Sequence, residues 1–279
     1  MSELTLLRVL LLLSMAVAPL GTHRVLLALP ARSLTAAHVV ALACAAVGLF
    51  SPAPMLCVVW LVFCMASFAL FLRPRVASWR SPTMLAACVP FLFSNIAAVW
   101  LVGGANDLHI LGYGPHYSYY AALHGNVLGW ILIGALAILA DRDGPQRSIY
   151  VASVLACLVS FVLIALGIDQ LHALKAIGVL GLSVALPVSQ LAFLASVWRR
   201  NRPAFICALV SLTGLVFTMV LAWRNELSMP VLPAVAGIRG MVSVHGVLNA
   251  LVVAPCFLLA VTLDAAPSKP RDASQGGSA

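Results

Sequence analysis

Along the chain, long runs of apolar residues alternate with short polar joints, and the run length sets the architecture. Crossing a hydrocarbon core of about 30 Å takes about 20 mostly apolar residues in a helix. Nine segments meet that length, near 4–20, 34–50, 54–72, 83–103, 117–140, 148–167, 173–197, 203–222 and 237–262. The pattern predicts an all-α fold: a polytopic transmembrane helical bundle of about nine helices (eight to ten), with residues 1–263 as a single transmembrane domain. The first two spans are the hardest to delimit. "GTHRVLLALPARS" between them is itself half apolar and reads equally as an interfacial segment or as part of a span. Residues 264–279, "DAAPSKPRDASQGGSA" with its first Asp, are polar and rich in Pro, Gly and Ser, and read as a disordered cytoplasmic tail.

Composition agrees with the pattern. Of 279 residues 63% are hydrophobic and 9% charged, against roughly a quarter charged in a soluble domain. The N-terminal run carries Glu3 near its start and Arg8 within it, and many further spans follow, so it reads as a retained first helix and not as a secretory signal.

The net charge of +8 reports orientation more than a nucleic-acid partner. With the N-terminus outside, the cytoplasmic joints and tail hold Arg24, Arg32, Arg73, Arg75, Arg80, Arg142, Arg147, Arg199, Arg200, Arg202, Lys269 and Arg271, which is 12 of the 16 basic residues. The outer joints hold only Arg224. This bias predicts an outside N-terminus, a cytoplasmic C-terminus, a lipid bilayer as surroundings and no nucleic acid; the oligomeric state is open. The seven cysteines lie within apolar segments without a C-x-x-C pair and read as small buried hydrophobes.

Polar chemistry gathers toward the outer side. The fifth segment enters there, which puts His124 about 10 Å below its start at 1.5 Å per residue. His116, Tyr120 and His124 follow one another at i, i+4 and i+8 and share a face. In the ninth segment Arg239 stands near the start, His245 about two turns deeper, and Asn249 one i+4 step below it. The joint "GIDQLHALK" adds Asp169, His172 and Lys175.

Several of these residues have an ordinary reading. His109, His116, Tyr113, Tyr117 and Tyr119 fit interface anchors, and Asp169 with Lys175 fits a loop ion pair. His124, Asn126, His245 and Asn249 lie within spans, where polar side chains either pair between helices or face a cavity. In both "HGN" (124–126) and "HG" (245–246) a glycine follows the histidine, permitting close backbone approach or an irregular helical turn.

"AAVWLVGGA…ALHGNVLGW" and "SVHGVLNALVV" together resemble the YndJ-like family of bacterial multi-pass membrane proteins. The family's late motif, T-H-G-x-x-N-A-x-G-F, is matched at His245, Gly246, Asn249 and Ala250, while Ser243 and Val244 replace its lead-in and "LVV" its end. Its fifth-helix motif, H-F-H-Y-A-G-F, survives as His124, Asn126, Gly129 and Trp130, with Asn126 at the place of the second histidine. The resemblance implies a multi-pass fold in the bacterial cytoplasmic (inner) membrane and a transporter-like label.

Two functions follow as expectations. One is a membrane-embedded enzyme without cofactor, in which His124 and His245 perform acid–base catalysis on a lipophilic small molecule, by isomerisation, cyclisation or opening of an epoxide or other ring. Asn126, Asn249, Tyr120, His116, Asp169, His172 and Arg239 would then bind or orient the substrate in a pocket near the outer half of the bilayer. The other is a small transporter or permease, against which the inner half offers little beyond His38. A non-catalytic scaffold is the third. No H-x-x-x-H or E-x-x-H pair appears, so no metal is expected.

Overall fold

The computed structural model describes residues 2–27, 31–142, 144–168, 171–229, 232–235 and 237–265. Among these, nine helices are long and apolar enough to cross a membrane. They are α1 (Glu3–Leu26), α2 (Ala31–Phe50), α3 (Cys57–Leu72), α4 (Pro82–Ala105), α5 (Pro115–Asp141), α6 (Arg147–Gly167), α7 (His172–Val197), α8 (Arg202–Glu226) and α9 (Met241–Ala265). The expected tail lies outside the described residues, except for Asp264 and Ala265, which close α9.

The joint between the first two spans is shorter than "GTHRVLLALPARS" suggested. Its first six residues continue α1 as far as Leu26, and His23 is a buried residue in the last turns of that helix, not part of a loop. Aromatic rings that receive the imidazole (Phe63, Phe91 and Trp130, at 5.3, 6.1 and 5.7 Å) account for the inward placement.

Serine, asparagine and proline start several helices. The Ser81 hydroxyl accepts from the Met84 N–H with Pro82 next in line, and Asn201 caps α8 in the same way through the Ala204 N–H before Pro203. The bundle is organised around α5. In its most apolar stretch 89% of the residues are buried, compared with 28% in α2 and in α6. The peripheral helices turn Val39, Val40, Val159, Leu180, Ile206 and Phe217 outward, the face a bilayer would cover.

Close packing on α5 depends on glycine. A Cβ on Gly125 would stand 2.8 Å from that of Ala97, and one on Gly129 would run into the ring of Phe93. α4 therefore lies directly against α5, and Trp130, wholly buried, donates from Nε1 to Thr22 Oγ1 of α1 at 2.8 Å.

Both ends of the bundle are clasped by charge. At one end the Glu3 carboxylate of α1 meets Arg239, and Glu226 of α8 meets Lys175 at 2.6 Å and His172 at 3.3 Å. At the other, Asp264 of α9 is shared by Arg142, which follows α5, and Arg200, which precedes α8, at 3.5 and 2.9 Å.

Candidate functional site

α5 and α9 both leave the regular α-helical ladder where their histidines stand. In α5, residues Gly125–Leu132 form a π-helical stretch, and the Ile133 N–H donates five residues back, to Leu128 O. In α9, Met241–Gly246 and Asn249–Val253 do the same; Val247 N–H donates to Val242 O and Ala254 N–H to Asn249 O. π turns are rare and collect at functional positions. The glycines of "HGN" and "HG" thus sit in irregular turns, and the Gly125–Leu132 stretch of α5 meets the Asn249–Val253 stretch of α9.

His124 opens this arrangement to its surroundings. Between Tyr117 and Ala140 it is the only exposed residue of α5. Its Nδ1 lies 2.8 Å from Tyr120 O. A carbonyl oxygen only accepts, so Nδ1 carries the hydrogen, and the neutral ring keeps its lone pair on Nε2. His245 is half-buried and repeats the device against α8: its Nδ1 donates to Thr218 O at 3.1 Å, which leaves Nε2 as the acceptor.

Thr218, buried on α8, holds the second half of the α9 stripe too. Its Oγ1 donates to Asn249 Oδ1 at 3.2 Å, while Asn249 Nδ2 donates back to His245 O at 2.8 Å. His245 and Asn249 are therefore fixed as one unit by a residue that carries no sequence motif.

At the Glu3 end a second cluster closes over the histidines. Tyr120 donates its hydroxyl to Glu3 Oε1 at 2.6 Å, Arg239 Nη2 donates to the same oxygen at 2.6 Å and to the Tyr120 hydroxyl at 2.8 Å, and the Arg239 backbone N–H reaches Oε2 at 3.2 Å. The carboxylate bonds push the Arg239 guanidinium above its ordinary basicity. Tyr120 and Arg239, expected as substrate-binding residues, thus share an internal carboxylate. The sequence had offered Glu3 only as a mark against a cleaved signal.

The remaining expected residues fall as follows. His116 is exposed one turn before Tyr120. Asn126 is 1% exposed and donates to Ala122 O at 3.0 Å, with its Oδ1 buried and without a partner among the described residues. It stands two residues from His124, about 200° around a helix, and does not reach the opening. His172 is drawn to Glu226. Asp169 lies outside the described residues, and Lys175 pairs with Glu226. Of the interface anchors, Tyr113 and Tyr117 stack at 4.0 Å beside Trp100 and His109 meets Asp107 at 3.3 Å. Tyr119 is not an anchor: it is wholly buried, beneath the Arg8 guanidinium.

The opposite half of the bundle holds a second histidine pair. His23 is buried with Nε2 unpartnered among the described residues. His38, also buried, bonds through Nε2 to Met15 O at 3.0 Å and lies 5.8 Å from the same Phe63 ring that His23 meets. Among the described residues no group of three or more His, Cys, Asp or Glu side chains is placed to hold a metal ion.

Nine helices long and apolar enough to cross a membrane among the described residues, with buried histidines between them, define a multi-pass helical membrane protein. The chain belongs to the YndJ-like family: the family model described as "YndJ-like protein" matches residues 6–253. No curated protein and no solved structure matches the chain.

Proposed function

We propose that the protein is a membrane-embedded acid–base catalyst acting on a lipophilic small molecule, in a bacterial cytoplasmic membrane with the Glu3–Arg239 end outside. The observation that carries the reading is His124: an exposed imidazole on the most buried helix, with Nδ1 committed to a carbonyl and Nε2 without a partner among the described residues, on a helix that meets α9, whose His245 holds the same tautomer. With one ring neutral and the other protonated, the neutral Nε2 takes a proton from the substrate and the other ring returns one from its Nε2–H. Isomerisation, cyclisation and ring opening all follow this scheme without net gain or loss of protons. Asn249, oriented by Thr218, supplies an amide next to His245, and Tyr120 with Arg239 supplies polar groups at the mouth.

The test uses the full chain in nanodiscs, incubated with lipophilic extracts of cells with and without the protein. Conversion of a molecule by the wild type, falling about 100-fold or more in His124→Ala and His245→Ala with unchanged thermal stability, supports the reading. Conversion that both variants retain overturns it.

Transport is the second reading, and one observation favours it: buried ionisable groups occur in the other half as well, at His23 and His38. Alternating access needs groups reachable from either face. Movement of a solute into sealed vesicles without chemical change, abolished in His23→Phe, would favour transport over catalysis.

A further inference from the structure

Three carboxylates pair with basic side chains of other parts of the bundle: Glu3 with Arg239, Glu226 with Lys175, and Asp264 with Arg142 and Arg200. Arg8 departs from this. It stands five residues beyond Glu3 in α1, and among the described residues it has no acidic partner. Its guanidinium instead lies over the ring of Tyr119, 5.3 Å from the centroid. Arg8 Nε is buried without a hydrogen-bond partner, and so is the hydroxyl of Tyr119. The Cys57 thiol, the other group close enough to feel the guanidinium, is turned to Ala45 O at 3.9 Å.

The Tyr119 oxygen has lone pairs that can take one guanidinium N–H, but the Tyr119 O–H and the Arg8 Nε–H have no acceptor among the described residues, and the charge has no acid. A buried polar group of that kind calls for a partner, and an arginine inside a bundle is ordinarily paired. A neutral acceptor would answer the donors and leave the charge; an oxyanion answers both. The level of the site is set by the Glu3–Tyr120 bond: at 1.5 Å per residue, Arg8 lies about 7.5 Å below Glu3 and His124 about 6 Å below Tyr120. The guanidinium is thus rooted at the same level of the bundle as the exposed histidine.

We propose that Arg8 and Tyr119 form a binding site for an oxyanion, a carboxylate or phosphate, carried on the head of a single-chain amphiphile or free in solution. The site is separate from the histidine chemistry, and binding is read without turnover.

The experiment measures equilibrium binding of radiolabelled hexadecanoate and hexadecanol to the full chain in nanodiscs of zwitterionic lipid, with inorganic phosphate as competitor. The acid is expected to bind roughly tenfold tighter than the alcohol. That preference should vanish in Arg8→Gln and shrink in Tyr119→Phe, which keeps the ring under the guanidinium and loses only the hydroxyl. Displacement of the acid by millimolar phosphate in the wild type, absent in Arg8→Gln, identifies a free anion as the ligand; no displacement identifies the amphiphile head. Equal binding of acid and alcohol without a phosphate effect overturns the proposal, as does a preference that survives in Arg8→Gln. Arg8 would then be a side chain that only stretches toward the membrane surface.

Discussion

His124–Gly125 on α5 and His245–Gly246 on α9 are the same dipeptide, each beside a π-helical stretch, each imidazole donating from Nδ1 to a backbone carbonyl. Their surroundings differ. Gly125 and Gly129 are pressed against α4, whereas the nearest atom to a Cβ on Gly246 would be Met241 O at 4.0 Å. His124 is exposed on the central helix, and His245 is half-buried and tied to α8. The first motif serves packing through its glycines and leaves its histidine exposed. In the second, the histidine and Asn249 hold the hydrogen bonds and the glycine touches nothing closer than 4.0 Å. A shared motif does not imply a shared constraint; what each residue touches decides it.

The glycines give the sharpest way to break the comparison. Gly129→Ala drives a methyl group into the Phe93 ring, and the expected loss is about 1–3 kcal/mol or more. Gly246→Ala has room, and replacing glycine inside a helix is worth up to about 1 kcal/mol in the stabilising direction. Thermal unfolding of both variants in one detergent measures the contrast, and equal shifts would dissolve it. Thr218→Val comes next. It removes the hydroxyl that donates to Asn249, at a cost of about 1 kcal/mol, and leaves the carbonyl that His245 uses. Nitrogen NMR of labelled histidine should therefore still report the Nδ1–H form of His245; a change of tautomer would mean that the side chain, not the backbone, holds the ring. The smallest effect is expected at Glu3→Gln. Arg239 is 67% exposed, so the exposed ion pair contributes less than about 1 kcal/mol, and the melting point should barely move even as the Arg239–Tyr120 cluster loses its centre.

The spans were legible in the sequence because hydropathy and length alone determine them. The histidines were legible because a polar group within an apolar run stands out against it. What the sequence concealed is the contribution of α1. Glu3, Arg8, Thr22 and His23 are spread over most of that helix without a motif, and they matter only because α1 packs against α5, where they meet Tyr120, Tyr119 and Trp130. Thr218 was hidden for the same reason, since a threonine in an apolar helix ordinarily bonds to its own backbone, and this one divides its single hydrogen between Leu215 O and Asn249 Oδ1. Asn126 follows His124 by two residues, which turns its side chain to the far side of the helix, where it is buried against Ala122 O. The family match over residues 6–253 agrees with the resemblance read from the two motifs.

The clasp at Asp264 has a consequence for how the molecule is made. The carboxylate that secures Arg142 and Arg200 belongs to the final helix, and the partner of Glu3 at the opposite end, Arg239, directly precedes that helix. A ribosome therefore delivers the first eight helices before either fastening can form. A chain halted at residue 236 would keep the Glu226–Lys175 pair and lose the partners of Glu3, Arg142 and Arg200 together.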